Sequence, residues 1–111
     1  MYGVRLTRDA DEDLRRIGEP TEKWLIGELF RLPRIAPSEF EAISPKGAKP
    51  EKLRWRIGAF VVVFYERPRT GIAVVERVIR RRDLDNWLAR EAQRAKHRDD
   101  EIDRSTDDRD D

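Results

Sequence analysis

The chain has 111 residues, 42% of them charged and 38% hydrophobic, with one histidine and no cysteine. That is the length of one domain with a modest core, and it excludes a disulfide framework, a cysteine-ligated metal and a conventional metal centre. No apolar run is long enough to span a bilayer and no signal-peptide core is visible, so a cytoplasmic protein without a membrane partner is expected.

The net charge of +1 hides an asymmetry. Residues 99–111, DDEIDRSTDDRDD, hold eight acidic and two basic residues. Residues 1–98 hold the remaining 22 basic and 15 acidic residues, a net +7. The expected organisation is a single basic domain over 1–98 and a disordered acidic tail over 99–111. A basic body suits a polyanionic partner, but an ordinary charged surface has the same composition.

In chain order, Tyr2, Val4 and Leu6 alternate with Gly3 and Arg5, which predicts a first strand. Thr7 or Asp9 can cap the helix that follows, and Asp9, Asp11, Glu12 and Asp13 suit its positive end. Ala10, Leu14 and Ile17 form its buried stripe, and Gly18 its stop. A second helix is predicted over Thr21 to Leu32, with Leu25, Leu29 and Leu32 buried and Trp24, Ile26 and Phe30 widening that stripe. Together the two helices read as an αα-hairpin. Residues 33–52, with four prolines, read as a loop with one short helical turn near Ser38–Ala42.

LRWRIGAFVVVF, residues 53–64, is the strongest pattern. Gly58-Ala59 between two apolar runs predicts a β-hairpin with a type II′ turn. Pairing Ile57 with Phe60 puts Leu53, Trp55, Ile57, Phe60, Val62 and Phe64 on one face. The other face then carries Arg54 and Arg56 beside Val61 and Val63, two guanidinium groups on strand backbone that can hold an anion. FVVVFYE is apolar on both faces, as a central strand is. Ile72 to Ile79 is its simplest meander partner. Arg80, Arg81 and Arg82 follow, and Asp83 caps a last helix from Leu84 to about His97, with a Leu84, Leu88, Ala92, Ala95 stripe beside Trp87. The order β-α-α-β-β-β-α implies an α+β fold: a small antiparallel-rich sheet, a helical hairpin packed on one face and a C-terminal helix.

VRLTRDADEDLRRI, LRWRIGAFVVVFYE and VERVIRRRDL, in this order and spacing, resemble the RelE/ParE superfamily of bacterial type II toxins. The resemblance covers roughly residues 2 to 90. It implies a toxin held silent by a cognate antitoxin protein. Many members cut mRNA in the ribosomal A site; a smaller branch inhibits DNA gyrase. The resemblance therefore implies an mRNA interferase, a metal-independent endoribonuclease that inhibits translation, with ribosome and mRNA as partners. The alternatives are a ParE-like gyrase inhibitor and a non-catalytic relative.

Such cleavage uses the ribose 2′-OH as nucleophile, so the protein must orient it, move protons and stabilise charge on the phosphate. By resemblance, Arg54 and Arg56 match the basic residues of the family's second strand and Arg81 the arginine ending its last strand. Tyr65 falls on the arginine face by alternation. Arg54, Arg56, Arg81 and Tyr65 are the candidate catalytic residues; Lys49, Lys52, Arg80 and Arg82 are candidates for nucleic-acid binding. Val61 stands where the family often has an arginine, directly opposite Arg56. Trp87 is nearest to the family's late catalytic aromatic but reads as core. Glu51 is a weak match to a family general base, and His97 reads as a solvated surface residue. No P-loop, Rossmann glycines or Ser/His/Asp triad occurs, so no cofactor and no metal are expected. The acidic tail is a candidate internal mimic of RNA, folding back on the arginines, against the plainer reading of a solvated tail.

Overall fold

The computed structural model describes residues 1–45 and 47–94. In chain order it contains β1 (Gly3–Leu6), α1 (Arg8–Ile17), α2 (Thr21–Phe30), β2 (Phe40–Ala42), β3 (Leu53–Ile57), β4 (Phe60–Glu66) and β5 (Ile72–Arg80). A third helix, α3, covers residues 84–94. Single 3-10 turns occupy Leu32–Arg34, Pro37–Glu39 and Arg81–Asp83. Met1–Arg81 form one compact unit, and a second begins at Arg82. Within the second, Leu84 and Trp87 are buried and Ala92 is exposed, so the buried side of α3 runs through Trp87 rather than along the expected Leu84–Ala92 line. His97, Ala95 and the acidic tail lie outside the described residues. Among the described residues no helix is long and apolar enough to cross a membrane.

The fold is α+β, with a five-stranded sheet in the order β1-β5-β4-β3-β2. The hairpin register is as predicted: Leu53, Arg54, Trp55, Arg56 and Ile57 pair with Phe64, Val63, Val62, Val61 and Phe60. Gly58 has φ +55° and, among the described residues, no non-glycine has positive φ, so Ala59 keeps negative φ, the sign pattern of a type II′ turn. β4 is central, flanked antiparallel by β3 and β5, while β1 adds parallel to β5. Sequence reading left residues 40–42 outside the sheet. There Phe40 pairs with Trp55 and Glu41 with Arg54, making β2 an edge strand. Phe40 meets the rings of Trp55 and Phe64 edge-on, at centroid separations of 6.4 and 4.8 Å. That aromatic burial holds a strand too short to show a period of its own.

One sheet face is covered by the helical hairpin. Ala10, Leu14, Leu25, Leu29 and Leu32 pack with Trp55, Ile57, Phe60, Val62, Phe64, Ala73, Val75 and Val78 in one buried cluster. Thr7 is the N-cap of α1 and accepts from the Ala10 N–H at 3.1 Å. Its own hydroxyl donates to the Glu76 carbonyl at 2.9 Å, tying the start of the helix to β5. Gly18 ends α1, its N–H donating to the Leu14 carbonyl. α2 differs from expectation at its flanks. Leu25 and Leu29 are buried, but Trp24 is 48% exposed and Phe30 64%. At 100° per residue the leucines take the inward stripe and carry both aromatics round to its outer sides.

Asp13 is the larger surprise. It reads as one more acidic residue of a helix start, yet it is 7% exposed in mid-helix. β1 ends with Leu6 opposite Val75, so β5 continues past it without a neighbouring strand on that side. A register shift places Arg77 opposite Val63 and Val75 opposite Phe64, which makes Glu76 the extra residue of a bulge. Asp13 fills the gap beside it. Its carboxylate accepts from the Val78 N–H at 2.9 Å and from Arg77 Nε and Nη2 at 2.7 and 3.0 Å.

Candidate functional site

The second face of the sheet is not the open arginine surface that alternation suggests. Val61, Val63, Val74 and Ile79 are buried there. The cations stand at its margins, in two groups.

The first group lies at the hairpin end. Arg56 pairs with Val61, which pairs in turn with Ile79, so Arg56 and β5 are two strands apart, about 10 Å. The Arg81 N–H donates to the Ala59 carbonyl at 2.8 Å, continuing the ladder one step beyond the Phe60–Arg80 pair. Arg81 opens the 3-10 turn that follows β5, so strand alternation stops at Arg80 and it is this backbone bond that places Arg81 beside the hairpin turn. Both arginines are exposed, and neither side chain makes a hydrogen bond or ion pair within the described residues. Arg80, one residue earlier, belongs to the opposite face. Its guanidinium lies over the Phe60 ring, 5.2 Å from the centroid.

Arg54, between these groups, already has a carboxylate. Its Nε donates to Glu41 Oε2 at 2.9 Å, and its Nη2 donates to the same oxygen. That hydrogen bond, then the Arg54 charge, hold Glu41 below the usual glutamate range, against an upward push from desolvation; the more distant Arg56 charge adds a still smaller lowering. The pair is therefore intact at every pH above the ordinary range. It is lost only as pH falls through the lowered value, which releases Arg54 at acid pH. Glu41→Gln is expected to strengthen binding of single-stranded RNA a few-fold at neutral pH by freeing Arg54, with fluorescence anisotropy as the measurement. An unchanged affinity would mean that Arg54 does not meet phosphate.

The second group lies at the far end of β4. Tyr65 is half-buried and pairs with Val74, four residues and about 13 Å along the strand from Val61. Lys52, one residue before β3, stands at the same level, and its Nζ lies 3.1 Å from Glu76 Oε2. Glu76 is a residue sequence reading passed over, because only the bulge turns it toward Lys52. Tyr65 and Arg81 are six ladder steps apart, about 20 Å, more than one phosphate group bridges. Thus Arg56 and Arg81 stand at the hairpin end, Tyr65, Lys52 and Glu76 at the other, and Arg54 between them. Lys49 and Glu51 are exposed in the loop before β3, and Arg82 is exposed at the start of the second unit. Among the described residues no group of three or more His, Asp or Glu is arranged to hold a metal ion.

No protein-family model matches the chain, and no curated protein matches it. Solved structures do. A chain of the toxin–antitoxin complex RelBE2 from Mycobacterium tuberculosis superposes with a TM-score of 0.56 at 21% identity, over 72% of this chain and 98% of that one. A metal-bound toxin from Helicobacter pylori superposes with a TM-score of 0.53 at 16% identity, over 76% and 99%. The sheet, the helical hairpin and the terminal helix are thus those of the RelE-like toxin fold.

Proposed function

We propose that this protein is the toxin of a toxin–antitoxin pair and acts as a ribosome-dependent mRNA endonuclease. The observation that carries the reading is Arg56 and Arg81, both exposed at the hairpin end and neither side chain with a hydrogen-bond or ion-pair partner among the described residues. The fold shared with a toxin–antitoxin complex and with a second toxin supports it.

In this reading the two guanidinium groups grip the scissile phosphate. The 2′-oxygen forms a bond to phosphorus as its proton leaves, and the 5′-oxygen departs as it gains one. The products are a 2′,3′-cyclic phosphate and a 5′-hydroxyl. Arg56 and Arg81 stabilise the extra charge of the phosphorane, on rigid backbone that needs no reorganisation. Tyr65, Lys52 and Glu76 contact a neighbouring nucleotide, and the ribosome supplies the orientation and proton transfer that the hairpin end lacks. Lys49, Arg54, Arg80 and Arg82 add phosphate contacts. The protein works in the cytoplasm, where its target is. An antitoxin laying an extended segment or a helix over the basic face keeps it silent.

The test is cleavage of a reporter mRNA by purified protein with and without translating ribosomes. Cuts that appear only with ribosomes support the reading. No cuts from folded, antitoxin-free protein would remove it. One observation favours a second reading, DNA gyrase inhibition: among the described residues, buried Val61 and the Glu41-bound Arg54 leave no free cation between the two groups. A supercoiling assay separates the two.

A further inference from the structure

We infer that the tip of the β3–β4 hairpin is a stacking site for single-stranded RNA, in which Trp24 takes one base and Arg80 takes a flanking phosphate. The inference deepens the endonuclease reading and rests on it for the class of ligand.

Of the three tryptophans, Trp55 and Trp87 are buried, at 7% and 9% exposure; Trp24 stands at 48%. A large aromatic left half-open on a charged surface is the informative case, because burial is its default. Its position is fixed by the hairpin. A Cβ built on Gly58 would lie 3.5 Å from Trp24 Cη2, so the indole edge rests beside the turn while about half of the residue stays exposed. Ala59, the next residue, accepts the Arg81 N–H. Phe60, the residue after that, carries the Arg80 guanidinium over its ring. The hairpin tip thereby brings an open indole and a cation held on an aromatic to the helical side of the sheet.

That combination fits one ligand chemistry. Every base has a π-face that stacks on an aromatic regardless of sequence, and the sugar–phosphate chain on either side needs cations. The net +7 of residues 1–98 favours a polyanionic chain over an uncharged apolar partner. Lys23 and Arg31, exposed near Trp24 in sequence, are already paired with Glu19 and Glu28, which leaves Arg80 as the phosphate contact.

The experiment measures binding of short fluorescein-labelled oligouridylate to the full chain by anisotropy, beside an abasic strand of the same length and charge. Wild-type protein is expected to hold the base-bearing strand about tenfold more tightly than the abasic one, a difference typical of one stacked base. Trp24→Leu is expected to remove that difference, and Trp24→Phe to keep most of it. Tryptophan emission should fall on binding in the wild type and not in Trp24→Phe. Equal binding of the two strands by wild-type protein would overturn the site without relying on any variant. So would wild-type affinity in Trp24→Leu, or no binding of single strands at all. Ribosome-dependent cleavage alongside any of these results would leave the endonuclease standing and remove only the stacking site.

Discussion

Arg81→Ala is expected to slow ribosome-dependent cleavage of mRNA by about 100- to 1,000-fold, the usual cost of removing one preorganised donor from a developing oxyanion. Arg81 ends β5 beside the hairpin turn, with its backbone tied to Ala59 and its side chain exposed. No hydrogen bond or ion pair of its side chain within the described residues depends on it, so the folded state should lose less than about 0.5 kcal/mol, as for other surface substitutions. Arg81→Lys should recover part of the rate, because a point charge replaces a planar fork that can bridge two phosphate oxygens. The measurement is a single-turnover rate on programmed ribosomes, with thermal unfolding of each variant as the control. A variant that cleaves at the wild-type rate would take Arg81 out of the site.

Asp13→Ala has the largest expected effect on stability. The carboxylate is almost fully buried and accepts three hydrogen bonds, two from Arg77 and one from the Val78 N–H. Deleting it strands a backbone donor at the end of β1's pairing and takes from Arg77 its carboxylate. Breaking a buried pair from one side costs about 3–5 kcal/mol; the guanidinium side here is partly solvated, which favours the lower end, about 3 kcal/mol. For a unit of this size that lowers the melting temperature by about 12–20 °C. Asp13→Asn should lose less, since its amide oxygen can still accept from Val78. Circular dichroism on heating is the measurement, and a loss under about 1 kcal/mol would show that the bulge closes without this carboxylate.

The resemblance and the periodicities carried most of the fold. Alternation in LRWRIGAFVVVF located the hairpin, its register and its turn, because a two-residue loop leaves the strands no freedom to slip. The 3.6-residue spacing of Ala10, Leu14, Leu25 and Leu29 located the helical pair. β2 was not legible: three residues in a proline-rich stretch show no period, and only the pocket between Trp55 and Phe64 gives Phe40 a reason to extend. The site was legible as residue types and not as groups. Arg54, Arg56 and Arg81 could be named from the chain, but Arg54's partner Glu41 sits on that unforeseen strand.

The sequence by itself determined the elements, the central strand and the charge of the body, because propensity, alternation and composition act over a few neighbouring residues. Only the tertiary structure decided which charges remain available. Glu41 occupies Arg54, Glu76 occupies Lys52 and Asp13 occupies Arg77, while the Arg56 and Arg81 side chains have no hydrogen-bond or ion-pair partner among the described residues. It also decided that Trp24 stands open beside the hairpin turn. These pairings join residues 13 to 64 positions apart, and such partners are chosen by strand order and a single bulge, which no local pattern encodes.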